Sequence, residues 1–289
     1  MKKLLFLVLS FSLLFCSTVF GATTKVPILM YHGVEKESTS QWVVSEAQFS
    51  ADMEFLARNY YTPMVAEDLI KIKNGEMEMP ERPVMITFDD GYENNYTVAF
   101  PILKRTGMKA TIAVIGCLIR DENGSGKAGY LYWSQLKEMY DSGLVDVGSH
   151  TYNLHDLDAE GVYTGTTNGI RQLGGETVVD YLKRTGEDLR KSVGDIESNV
   201  GNDVLYFAYP FGKTNSYFSS VLGNYGVRVS VSTYSAMANI ENGLNCMPRY
   251  TITPDQWAWN VLPAISEEKR AEEDKKLEIN ADGTIFQNK

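Results

Sequence analysis

Val84-Met85-Ile86-Thr87-Phe88-Asp89-Asp90-Gly91 is the stretch from which the fold can be read. A short, nearly continuous apolar run of this kind fits a strand covered on both faces, as in parallel sheets. It stops at two carboxylates and a glycine that lets the chain turn. The same pattern recurs on either side. Further strands are expected at Pro27–Tyr31, Ala110–Ile115, Leu144–Gly148, Leu205–Tyr209, Val227–Ser232 and Pro248–Ile252. Helical stretches lie between them. Ser45 and Gln48 read as a capping box ahead of Phe49, Met53, Leu56 and Tyr60. Asn95 to Thr106 runs into Gly107 and Trp133 to Ser142 into Gly143, each a glycine where a helix C-terminus favours one. Thr177 to Ser192 and Ser216 to Asn224 are the other helices expected. Repeated strand–helix units predict an α/β fold with a parallel sheet, and about seven of them point to a barrel.

The composition fits such a domain. The chain has 289 residues, 44% hydrophobic and 22% charged, which excludes a disordered tail, a collagen-like repeat and a small disulfide scaffold. A net charge of −10 argues against a nucleic-acid partner. Lys2 and Lys3, the apolar run Leu4 to Phe15, and then Val19-Phe20-Gly21 follow the order of a signal peptide cleaved after Gly21. The run is too short to cross a bilayer. A lipid anchor on Cys16 ranks lower, because Phe15 is bulky where such sites want a small residue. Loss of the two lysines takes the charge from −10 to −12. No later segment reads as a membrane helix, so the expectation is a mature chain that is secreted or associated with the cell envelope. The expected organisation is a signal peptide at 1–21, one domain at 22–265 and a charged tail at 266–289, with a long Gly/Thr-rich connection at Asp156 to Glu176. Cys117 and Cys246 would form one bridge or remain two free thiols, and the sequence leaves both readings open.

The chemistry-bearing residues sit at strand ends. His32 follows the first apolar run, Asp89-Asp90 the second, and His150 the run Leu144–Gly148. In parallel α/β barrels the C-terminal rim is where active sites are built. Asp89 and Asp90 would point to opposite faces of a regular strand, but a turn at Gly91 lets both face one site. The alternative is that Asp90 caps the following helix. A hairpin is disfavoured because no antiparallel strand follows. His150 and His155 are five apart, about 500° on a helix, so they share no helical face. On a loop they can converge on one metal, and with a carboxylate they leave positions open for water and substrate, as catalytic sites do. The alternative is two unrelated histidines. Phe207 to Gly212 ends another strand in Tyr-Pro-Phe-Gly, which alone reads as a strand exit.

Taken in order, Thr87 to Tyr92 (TFDDGY), Ser149 to His155 (SHTYNLH) and Tyr209 to Gly212 (YPFG) resemble the first three motifs of the NodB-type polysaccharide deacetylases, carbohydrate esterase family four. The resemblance spans roughly Val26 to Ile265. It implies a distorted (β/α) barrel of about seven parallel strands. It further implies a divalent metal on Asp90, His150 and His155, most often Zn2+, with Co2+, Ni2+, Fe2+ or Mn2+ as alternatives. Asp89 corresponds to the catalytic base, Thr151 to the hydroxyl that steadies the histidine loop, and the N–H of Phe211 to the oxyanion donor. The implied reaction removes N-acetyl groups from an extracellular glycan: peptidoglycan, chitin oligomers or poly-N-acetylglucosamine.

Three departures qualify the match. The histidine spacing is five rather than the usual four, as in a branch acting on poly-N-acetylglucosamine. The third motif has Ala208 and Tyr209 where an Arg that pairs with the catalytic Asp is usual, which leaves Arg249 as a substitute. No His follows His155, so the late general acid of the family is missing and His32, on the neighbouring first strand, becomes the candidate. A non-catalytic glycan-binding barrel, or an amidase for another acyl or cyclic amide, are the competing readings. Tyr92, Tyr130, Tyr132, Trp133, Tyr152, Tyr163 and Tyr209 fall in or near the rim loops, where sugar rings would stack, or else in the core.

Overall fold

The computed structural model describes residues 24–155, 170–279 and 285–287. The expected signal peptide, Tyr163 and most of the Asp156–Glu176 connection lie outside the described residues.

All seven expected strands are present, with each end within two residues of the expected one. They are β1 (Ile28–Tyr31), β2 (Pro83–Phe88), β3 (Ala110–Val114), β4 (Val145–Ser149), β5 (Tyr206–Ala208), β6 (Val229–Val231) and β7 (Tyr250–Thr251). They pair in parallel in the order β6-β5-β4-β3-β2-β1-β7, and a short strand at Thr62–Met64 also pairs with β2. The sheet curls until its edges nearly meet. Met247, just ahead of β7, bridges to Val231: Ser232 donates its N–H to the Met247 carbonyl, and Met247 donates to Ser230, each at 2.8 Å. One bridge in place of a full ladder is what distorts the barrel.

Side chains alternate between two apolar clusters, as period-two strands require. Leu29, Tyr31, Ile86, Phe88, Ile112, Val147 and Phe207 pack in one with the outer helices, while Ile28, Met85, Ala113, Tyr206, Ala208 and Val231 fall in the other. Register aligns the strand ends: Tyr31 lies opposite Phe88, and Val114 opposite Ser149. The residues that follow Tyr31, Phe88 and Ser149 therefore emerge on one rim.

The helices are α1 (Glu46–Arg58), α2 (Ala66–Lys73), α3 (Phe100–Thr106), α4 (Trp133–Asp141), α5 (Val178–Val200) and α6 (Ser216–Asn224), with two more near the C-terminus at Ala258–Val261 and Glu267–Lys276. Three differ from the sequence reading for local reasons. The Ser45 hydroxyl accepts the Gln48 N–H, but the Gln48 amide donates to the Thr253 carbonyl at 2.8 Å, so the capping box is only half made. The helix before Gly107 opens as a π-helical turn at Asn95–Ala99, which aims the Asn95 amide at the His32 carbonyl, 2.7 Å away. Helix α5 continues past Ser192 to Val200 and stops at Gly201, whose φ is +90°. In the charged tail, Glu267–Lys276 is helical.

Cys117 and Cys246 are both free thiols, which settles the alternative left open above. The Cys117 thiol donates to the Asn153 side-chain oxygen at 3.0 Å, and burial pushes its pKa up to about 11. A denatured chain lacking residues 1–21 is thus expected to titrate two thiols per molecule without reductant. Fewer than one would mean the two cysteines pair.

Candidate metal and catalytic centre

Asp89 and Asp90 leave β2 into a chain reversal. Asp90 has φ +73° and Gly91 φ +83°. The left-handed step at Asp90 costs a non-glycine residue about 1–2 kcal/mol, and it turns both carboxylates toward one cleft. Asp90 caps no helix, so the capping alternative fails. Asp89 is buried and gripped by fully buried Arg249. The guanidinium donates from Nη1 to Oδ1 at 2.8 Å and from Nη2 to Oδ2 at 2.7 Å, while its Nε donates to the Ser232 carbonyl. Arg249 therefore stands where the third motif lacks its arginine. Burial pushes the Asp89 carboxyl up, but the Arg249 guanidinium, and then His150 and His32, pull it well below the usual carboxylate range.

The histidine loop begins at the end of β4. His150 Nδ1 lies 2.7 Å from the Ala208 carbonyl. Bonding there requires Nδ1 to carry the proton, which leaves Nε2 as a lone-pair donor. Burial pushes His150 down to about 4, so its imidazole is neutral at neutral pH. Thr151 takes φ +77°, an outlier for a branched residue, and its hydroxyl accepts the Leu154 N–H at 3.2 Å. The hydroxyl thus steadies the loop in the expected way. The turn brings His155 back so that its ring centroid is 4.8 Å from that of His150.

Asp90 Oδ1 lies 3.5 Å from the Nε2 atoms of both His150 and His155. It is buried and accepts no hydrogen bond among the described residues, although an unsatisfied buried carboxylate oxygen is costly. The three donor atoms all lie within 4.8 Å of one another. Ligands about 2.0–2.2 Å from a tetrahedral ion stand roughly 3.5 Å apart. With Asp89 neutralised by Arg249, one carboxylate charge remains uncompensated among the described residues, facing two imidazoles. This donor set fits a divalent cation.

The cleft has a volume of about 360 Å³ and is lined by Met30, His32, Trp42, Asp89, Asp90, Tyr92, His150, His155, Phe211 and Thr233. All six site residues expected from the sequence meet in it. His32 contributes its ring, whose Nδ1 is buried without a hydrogen-bond partner among the described residues and which leans on Trp42 with centroids 5.0 Å apart. Phe211 has φ +55°, and its N–H meets no acceptor among the described residues. Its half-exposed ring covers His155, centroid to centroid 4.7 Å.

For the aromatics named from the sequence, cleft and core were the two places left open. Tyr209 takes the core alternative: it is fully buried and packs edge-on against Phe207 and Phe218, because, one residue past β5, it keeps the alternation of Phe207 and faces the same cluster with the outer helices. Tyr132 lies under Arg120 and Tyr152 under Lys191, while Trp133 packs on the core. Of the seven, Tyr92 lines the cleft, with Tyr130 against it. Trp42 was missed, since its loop has no strand or helix period to mark it.

A model of the polysaccharide deacetylase family matches residues 76–230, more than half of the chain. The chain belongs to the polysaccharide deacetylase family. Among curated members, the poly-beta-1,6-N-acetyl-D-glucosamine N-deacetylase of Escherichia coli K12 is 28% identical over 242 residues, 78% of this chain but 36% of that protein. The chain therefore spans about a third of that relative. The Staphylococcus aureus protein of the same name is 26% identical over 226 residues, covering 78% of this chain and 73% of its own. Among solved structures, the Streptococcus pyogenes deacetylase PplD, in complex with acetate, superposes with a TM-score of 0.69 at 25% identity, covering 84% of this chain and 98% of that one. The curled parallel sheet with its outer helices is thus the family fold. Among the described residues no helix is long and apolar enough to cross a membrane.

Proposed function

We propose that this family member is a divalent-cation-dependent N-deacetylase that hydrolyses the acetamide of N-acetylglucosamine units in an extracellular glycan, releasing acetate and a free amine. The observation that carries the proposal is the unsatisfied Asp90 oxygen facing two imidazoles beside an acid that Arg249 keeps ionised. The mature domain on this reading is 22–265, exported after removal of 1–21, with 266–289 as an appended tail. Asp90, His150 and His155 hold the cation, and zinc suits two nitrogens and a carboxylate.

A bound cation supplies Lewis acidity, lowering the pKa of water from about 16 toward 7 and polarising the acetyl carbonyl. The chain's own groups do the rest. Asp89, ionised and fixed by two bonds to Arg249, accepts the proton of the attacking water. The N–H of Phe211, which meets no acceptor among the described residues, donates to the oxyanion that develops on the acetyl carbon. His32, which lines the same cleft, gives a proton to the departing nitrogen, which cannot leave as an anion.

Two expectations follow from these roles. His32→Ala should lose roughly 10²–10⁴ in acetate release with zinc content unchanged, whereas an unaltered rate would place the proton donor elsewhere. The substrate is tested by acetate release from poly-β-1,6-N-acetylglucosamine, chitin oligomers and peptidoglycan in parallel. The names of the relatives favour the first as the best substrate. Release from none of the three, with zinc supplied, would leave a glycan-binding barrel as the better reading.

A further inference from the structure

The sequence motifs leave unexplained what holds a loop with five-residue histidine spacing in a shape that converges its two imidazoles. All four N–H groups between His150 and His155 donate to side chains and none to a main-chain carbonyl. Thr151 donates to Ser149 Oγ at 3.1 Å, Tyr152 to Asp188 Oδ1 at 2.9 Å, Asn153 to Asp188 Oδ2 at 2.7 Å and Leu154 to Thr151 Oγ1 at 3.2 Å. Two of the four therefore end on one carboxylate. Asp188 lies in the middle of α5, and Ser192, one turn on, is fully buried with its hydroxyl 2.8 Å from Ser149 Oγ. Helix α5 thus grips the start and the middle of the loop through two polar residues one turn apart.

We propose that Asp188 is the positioning residue that sets the separation of His150 and His155, and through it the affinity and coordination geometry of the cation site. The left-handed step at Thr151 turns the next two N–H groups the same way, a small anion-binding nest. A carboxylate fills both places of that nest, whereas a neutral amide fills one and opposes the other with its own N–H groups. Carboxylates behind metal ligands usually bond the imidazole itself. Here the carboxylate holds the main chain that carries the second imidazole.

The inference rests on the cation reading of the site. A wild-type chain that binds no zinc would defeat that reading, a result distinct from equal binding by wild type and variant. The experiment measures zinc dissociation constants for wild-type and Asp188→Asn protein by competition with a chromogenic chelator, the Co2+ absorption spectra of both, and the melting of both metal-free proteins. Asp188→Asn is expected to bind zinc about 10–100-fold more weakly, with an altered Co2+ spectrum and a metal-free form that still melts cooperatively. Zinc affinity within twofold of wild type with an unchanged Co2+ spectrum would overturn the proposal. Loss of the folded metal-free protein would overturn it equally, because it would place the role of Asp188 in the barrel rather than at the ion.

Discussion

Asp90→Asn protein is expected to carry no zinc after desalting, where the wild type carries one ion per chain, and to release acetate only at background. The substitution keeps size and shape, and Asn tolerates the left-handed backbone that Asp90 adopts at φ +73°. What it removes is the one carboxylate charge at the centre that no cation among the described residues balances, since Arg249 is committed to Asp89. Two neutral imidazoles and an amide oxygen are a poor set for a divalent ion. The weakening should exceed the about 10–100-fold typical of losing an outer partner. Metal analysis and circular dichroism on the same sample separate this from unfolding. One zinc per chain in the variant would remove Asp90 from the ligand set.

Asp89→Asn separates base from ligand. It should retain zinc, since both Asp89 oxygens bond to Arg249. It should lose roughly 10²–10⁴ in turnover with the proton acceptor. It should also be less stable, because Arg249 is then a fully buried cation with no counter-charge. Breaking such a pair from one side costs about 3–5 kcal/mol. The pH dependence has a definite sign. Asp89 is held below its unfolded value, so the stability it contributes is complete above the ordinary carboxylate range and is lost only as pH falls through the depressed folded value. The gap in melting temperature between wild type and variant should therefore stay level from neutrality to roughly pH 5 and close only in stronger acid. Turnover equal to the wild type would end the assignment of Asp89 as base.

His150 adds an expectation for acid. With its imidazole pushed down to about 4 by burial, protons do not compete for its Nε2 in mildly acidic solution. The folded state binds fewer protons there than the unfolded chain, whose histidine titrates near 6.5. His150 therefore withdraws stability as pH falls from about 6.5 toward 4.

The seven strands were legible because strands covered on both faces need nearly continuous apolar runs, and short runs such as Val84–Phe88 or Ala110–Val114, bounded by turn residues, fit that reading. The residues at their ends were legible for the same reason: a polar group just after such a run lands on the rim that register defines. Partners from distant segments were harder. Arg249 suggested itself only as the remaining candidate for a missing arginine, and its grip on Asp89 spans 160 positions of sequence. Asp188 and Ser192 look like ordinary residues of an amphipathic helix, and only the packing of α5 over the loop gives them work. Trp42 carries no period at all. For Tyr209 the sequence left rim and core both open, because strand alternation decides which way a side chain at a strand end faces, and a shift of one position reverses it. The half-made capping box shows the same limit, since Gln48 could bond its own helix or a carbonyl 205 residues away, and the fold chose the second.

Acetate release by wild-type protein stripped with chelator and then titrated with zinc joins the ion, the acids and the glycan in one curve. Stripped protein should release none, and the rate on poly-β-1,6-N-acetylglucosamine should return in proportion to added zinc and level off at one equivalent per chain. Full activity in the stripped protein, or a zinc-saturated protein that leaves the acetyl groups intact, would contradict a cation held by Asp90, His150 and His155 as the centre of the chemistry.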